Sequence, residues 1–421
     1  MQKPPNYRDQ IAGIIGNLLE HYNSALMGLL GPFLAPLFFE AKDPLTALIL
    51  IYGMFPLGFL IRPLGSLCFG LIGDHFGRSC ALFYSLLGTA ATTVSIGLLP
   101  LYRDIGFYAP LLLAFCTMLQ AFFVAGESTG GAIFVLENTP PAKRGLFSSL
   151  FSVSSIAGIL LASAAVTLLS SMGWTEGGWR ILFWLGGTTA FFGLFIRWKS
   201  RWESNEGGDF HPSSKLLKTS WWHVIKEYRA TLVSITCVCG FSHVTYAFAF
   251  TLMNGYIPLI TSLSKTTVME LNTFLLIIDM LLLPLFGFLT HRYKKEEMML
   301  TAALFLTVAA IPLFSLLPNA NLTTVLFVRS CILLAGVAFG APYYAWAIEQ
   351  VPTQHRYLIL SLGSAFATSL IGAPACTVSL LLYKATNLAA APALYLLLTG
   401  LAASFSIYRL FKSATALTRV V

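Results

Sequence analysis

The sequence predicts an all-α membrane protein, with twelve transmembrane helices arranged as two six-helix pseudo-repeat bundles. Composition, the spacing of apolar runs and the partial recurrence of one short motif predict it. Of the 421 residues, 56% are hydrophobic and only 10% charged, against roughly 25% charged in a soluble domain. So few polar residues cannot cover a water-soluble core, whereas a lipid-facing exterior needs none.

The apolar runs fall at 11–38, 46–72, 80–101, 108–137, 145–170, 179–198, 230–258, 268–290, 298–317, 322–349, 357–383 and 388–411. Each is near the about 20 residues that a helix needs to cross the hydrocarbon core. Barrel strands would be half that length and would alternate in polarity. "MQKPPNYRDQ" leads directly into a first span that holds Glu20, so a cleavable signal peptide is not expected. The least hydrophobic internal stretch, 199–229, is rich in Gly, Ser, Pro and charge, which marks a linker. It divides the chain into bundles 1–198 and 230–421. Its "WWHVIKEYR" end is expected to lie along the membrane interface, with Trp221 and Trp222 as anchors, or to be a plain loop.

The net charge of +8 raises the question of nucleic acid, but its distribution answers for topology. With the N-terminus inside, 19 Lys and Arg fall on cytoplasmic segments, five (Lys42, Arg103, Arg180, Lys265, Lys384) fall outside, and Arg62 and Arg329 lie within helices. That asymmetry places both termini in the cytoplasm and leaves no need for a nucleic-acid partner. The seven cysteines (68, 80, 116, 237, 239, 331, 376) sit in helices or on the inner side. They are read as small packing residues, since Cys237 and Cys239 point to two faces of one helix and suit no shared metal. No cofactor or metal is expected.

The recurring motif is "GLIGDHFGR" at 70–78, after the second run; "GFLTHRYKK" at 287–295 follows the eighth and keeps a glycine, a leucine and basic residues. Internal repeats of this kind mark secondary transporters. Gly70 and Gly77 permit a tight inner turn, and Asp74 is placed to cap the next helix and to pair with Arg78. Such a latch holds two bundles together on one side and breaks when they rock. The other reading is a solvated loop.

"GLIGDHFGR" resembles the signature loop of the major facilitator superfamily. "GNLLEHY" (16–22), "FLIRPLGS" (59–66), "AGESTGGAIFVLE" (125–137), "PAKRG" (141–145), "GWR" (178–180) and "PTQHRY" (352–357) narrow the resemblance to its metabolite:proton symporter branch. "GGAIFVLE" and "SSIAG" (154–158) look most like the proline/betaine osmolyte transporters, with dicarboxylate carriers next. The resemblance implies the major facilitator fold and alternating access. It also implies the cytoplasmic (inner) membrane of a bacterium, a monomer, and proton-coupled uptake of a small polar organic solute. Arg180, in "GWR", and Arg62, in "FLIRPLGS", are assigned to structural support. The chain departs from the branch at Asn23, where an aspartate is usual, at Thr117, where a base is usual, and at Ser79.

Because asparagine cannot titrate, proton coupling falls to Glu20, Asp279 or Glu127, or to a histidine such as His21 or His243. Ionisable groups within spans are costly and face the bundle interior. Glu20 and Asn23, three apart, share a helical face, as do Gln120 and Glu127. Each acid has the alternative of a structural hydrogen bond. Asn23, Gln120, Tyr246, Asn254 and Arg329 are candidates for the solute pathway; for Arg329 the alternative is an outward-snorkelling side chain. His243, Tyr246, Phe250 and Asn254 form one stripe that could join Tyr343, Tyr344 and Trp346 in an aromatic cage for a quaternary ammonium group, or serve as ordinary packing.

"GESTG" at 126–130 matches the nucleophile-elbow pattern but lies in an apolar helix, where it is a close-packing surface. No H-E-x-x-H or P-loop is present, so no enzyme is expected. The expected partners are a small solute, protons and the bilayer. The alternatives to a proton-driven carrier are facilitated diffusion and a solute sensor with the same fold.

Overall fold

The computed structural model describes residues 7–40, 43–76, 78–125, 132, 136, 143–173, 177–188, 221–352 and 356–418. The linker at 199–220, Glu127 and Gly77 lie outside the described residues. In the first half the helices are α1 (Tyr7–Phe38), α2 (Pro44–Phe76), α3 (Arg78–Leu98), α4 (Tyr108–Val124), α5 (Arg144–Ser171) and α6 (179–188). A short helix, Trp221–Glu227, precedes the second half. There follow α7 (Arg229–Ile260), α8 (Lys265–Leu289), α9 (Lys295–Ser315) and α10 (Leu322–Glu349). α11 runs from Arg356–Phe366 through a π-turn, Ala367–Gly372, to Ala375–Thr386, and α12 is Ala393–Thr418. No strand occurs among the described residues. Seven helices are long and apolar enough, as described, to cross a membrane. α1 starts and α12 ends on one face, called here the terminal face.

Helix ends on the opposite face follow from local chemistry. Asp43 precedes Pro44 and accepts the Thr46 amide at 2.8 Å, so the proline occupies a position whose N–H has no helical partner. Ser264 accepts the Thr267 amide at 3.1 Å and Asn321 the Thr324 amide at 2.9 Å, which starts α8 and α10. Asn387, left-handed at φ 55, closes α11. Within the spans, hydroxyls return to their own helix: Thr89 to Ser85 O at 2.9 Å and Thr307 to Ala303 O at 2.8 Å. Hydrocarbon offers no other acceptor.

Small residues set the packing. α1 and α5 approach until a Cβ at Gly158 would strike the Leu18 carbonyl, and Asn17 donates to Ser154 at 2.7 Å and Ser155 at 2.9 Å. The halves meet along α5 and α8. Thr273 bonds Ser163 and Thr167, each at 2.8 Å, and Ser170 bonds Thr266 at 2.8 Å. Nearer the terminal face Gly287 lies on Ser149 and Gly145 on Thr290. On the other flank α2 packs on α11.

Candidate functional site

The π-turn Phe248–Leu252 in α7 organises the middle of the second half. Carbonyls in and beside it receive side-chain donors. Arg329 donates to Ala249 O at 2.7 Å, Asn254 to Phe250 O at 2.6 Å and Tyr52, from the other half, to Thr251 O at 3.3 Å. Along the stripe, Tyr246 and Phe250 stay ring to ring, 5.7 Å between centroids, while His243 and Asn254 have other partners. His243 meets Thr368 Oγ1 at 3.1 Å. Tyr246 places its hydroxyl 3.4 and 3.3 Å from the two carboxyl oxygens of Asp279. Asn254 accepts from Arg329 at 3.3 Å.

Arg329 is 0% exposed. Besides Ala249 and Asn254 it donates to the Asn272 side chain and to Val268 O at 3.4 Å. Asn272 donates in turn to Ser163 of α5 at 3.0 Å. The guanidinium therefore fastens α7, α8 and α10 together and reaches the other half through an amide.

A second group of polar side chains lies where the halves meet. Arg62 of α2 stands within electrostatic reach of Glu20 of α1 and of Cys239 and Tyr344 from the second half. Tyr344 faces Glu20 and Arg62 in turn, and His243 faces Arg62 and His21. The Tyr343 and Tyr344 rings lie 4.9 Å apart. Tyr343, Tyr344 and Ser364 line a narrow cleft with Ala132, Ala347, Ile348 and Leu360. Glu20 is 3% exposed. The arrangement brings one acid, one guanidinium and Tyr344 within electrostatic reach of one another, with Tyr343 beside Tyr344.

The other sequence candidates take separate positions. Asn23 is 0% exposed and packs against Gly186 of α6, where a Cβ would strike its amide oxygen. Gln120 donates to Thr93 at 2.8 Å between α4 and α3. Trp346 is fully buried. Arg180 donates to Leu99 O at 2.6 Å and stacks over Trp179 at 4.6 Å. Of the inner-turn residues only backbone is described: α2 runs through Gly70 and Asp74 to Phe76, and α3 begins at Arg78.

Asp279 is 1% exposed, and its crevice is lined by Thr245, Tyr246, Ala249 and Phe250 of α7 and Ile332, Leu333 and Gly336 of α10. Its electrostatic surroundings among the described residues comprise the Tyr246 hydroxyl and no cation. A carboxylate buried without a cation costs on the order of several kcal/mol.

Sequence reasoning placed Arg62 in support of the fold and did not single out Tyr52, Thr368 or Ser364. An arginine inside an apolar run was itself the available signal for Arg62. The other three carry none, because each acquires its role from a contact between distant parts of the chain.

Membrane-spanning helices in two halves, with polar side chains between them, are the architecture of a membrane transporter. The chain belongs to the Major Facilitator Superfamily, whose family model matches residues 18–376. The proline/betaine transporter of Escherichia coli (strain K12) is 29% identical over 96% of this chain and 84% of its own length. That of Salmonella typhimurium (strain LT2) is 30% identical with the same coverage. A glycine betaine/proline/ectoine/pipecolic acid transporter of Dickeya dadantii (strain 3937) is also 30% identical, over 96% of this chain and 84% of its own. Among solved structures the crystal structure of a D-xylose-proton symporter aligns with a TM-score of 0.71 at 14% identity, covering 96% of this chain and 97% of that one. That likeness concerns the fold.

Proposed function

We propose that the chain carries a small zwitterionic osmolyte, of the proline or glycine betaine class, in symport with protons. The observation that carries this reading is that Glu20, Arg62 and Tyr344 lie within electrostatic reach of one another. A zwitterion presents one cationic and one carboxylate end, and the site offers an acid with aromatic faces for the first and a guanidinium for the second. The names of the three curated relatives support the same class. Lysine and arginine asymmetry supports cytoplasmic termini in a bacterial inner membrane, and Asp74 near the end of α2 with Arg78 at the start of α3 would form a latch on that side. Glu20, Asp279 and Glu127 are the acids available for coupling.

Uptake of radiolabelled glycine betaine and L-proline into vesicles, with 2-oxoglutarate as competitor, tests the solute class. Saturable uptake of either zwitterion, unaffected by the dicarboxylate, is the expected result. Competition by 2-oxoglutarate with no zwitterion uptake would move the assignment to organic acids. Binding with no uptake would make the chain a sensor.

A further inference from the structure

Two acids are buried near the middle of the described structure, and their surroundings differ in kind. Glu20 faces Arg62, so an ionised Glu20 has a countercharge beside it. Among the described residues Asp279 meets the Tyr246 hydroxyl, 3.3 and 3.4 Å from its two oxygens, and no cation lies against it. On α7 His243 is engaged with Thr368. On α10 Arg329 directs its two terminal nitrogens to Ala249, Asn254, Asn272 and Val268, and its Nε is buried without a hydrogen-bond partner among the described residues. On α5 no residue between 145 and 171 is ionisable. Asp279 is itself 1% exposed. A carboxylate buried in such a place lacks a countercharge among the described residues, whereas a carboxylic acid needs only the tyrosine.

Resting on the symport reading above, we propose that Asp279, seated against Tyr246 in the seam between α7, α8 and α10, carries the coupled proton, while Glu20 stays ionised beside Arg62 to receive the solute. The step is a plain protonation: the carboxylate takes one proton when the seam is wet, closes neutral around it, and returns one proton when the seam opens on the other side. Tyr246 also lies within electrostatic reach of Tyr344, which itself faces Glu20. Closure over the solute and closure over the protonated acid thus share one tyrosine pair, which gives proton and solute a common moving part.

Infrared difference spectroscopy of the purified protein at neutral pH tests the protonation without any solute. A carboxylic-acid carbonyl band that is lost in Asp279→Asn and kept in Glu20→Gln supports the proposal. No such band, or one that Glu20→Gln removes, overturns it. In proteoliposomes Asp279→Asn, which mimics the neutral acid, should lose uphill accumulation of glycine betaine while retaining exchange across the membrane, and Asp279→Glu should restore part of the accumulation. Wild-type-like accumulation by Asp279→Asn overturns the proposal. A wild-type protein that moves neither glycine betaine nor proline overturns the solute reading instead, and the infrared result then still decides for Asp279.

Discussion

Arg329 shows how a side chain acquires meaning that sequence position alone does not carry. An arginine in an apolar helix can snorkel outward, bind solute or support the fold, and composition does not separate the three. Its complete burial among two carbonyl or amide groups of α7 and two of α8 joins these helices. Removing the donor leaves buried neutral carbonyls and amides unsatisfied, at about 1–3 kcal/mol for each. Arg329→Gln should therefore lower the thermal unfolding temperature in detergent markedly, whatever its transport phenotype. An unchanged melting profile would show that the network contributes little. Arg62 and Glu20 make the complementary case: both were visible as costly intramembrane charges, but their meeting across α1 and α2 was not.

At the scale of elements, the apolar runs located the helices well, with α10 beginning and ending at Leu322 and Glu349 as the run at 322–349 predicts. The π-turns at Phe248–Leu252 and Ala367–Gly372 were not legible, because hydrophobic periodicity does not register one added residue inside a fully apolar helix. The first of them has its carbonyls occupied by Tyr52, Asn254 and Arg329. Helix caps were more accessible. The Asp43 carboxyl lies below the usual carboxylate range, held there by the Thr46 hydroxyl first, then by the Thr46 amide, with Lys384 adding a smaller pull. A depressed acid contributes its capping above the ordinary carboxylate range and loses it only as pH falls through the lowered value. Protection of the first turn of α2 against hydrogen exchange should thus be the same at pH 7 and pH 5, and Thr46→Val should weaken it at both. Protection that collapses by pH 5 would contradict the cap.

At the scale of the whole molecule, the two halves are closed together on the face opposite the termini. Lys265 donates to Pro32 O at 2.9 Å, and Lys384 to Thr46 at 2.8 Å. Tyr52, fully buried against Gly31, reaches Thr251 O. A single such hydrogen bond contributes about 0.5–1.5 kcal/mol, so Tyr52→Phe should shift the population toward opening on that face by roughly two- to tenfold. Labelling of a cysteine introduced near Gly255 reports the shift, and unchanged labelling would remove the gate role from Tyr52.

The central claim is that this fold couples a proton gradient to the movement of a zwitterion. Purified protein in proteoliposomes, given glycine betaine and an imposed pH gradient, measures it directly. The account predicts accumulation above the external concentration that a protonophore abolishes. Uptake that only equilibrates, and ignores the gradient, would contradict it.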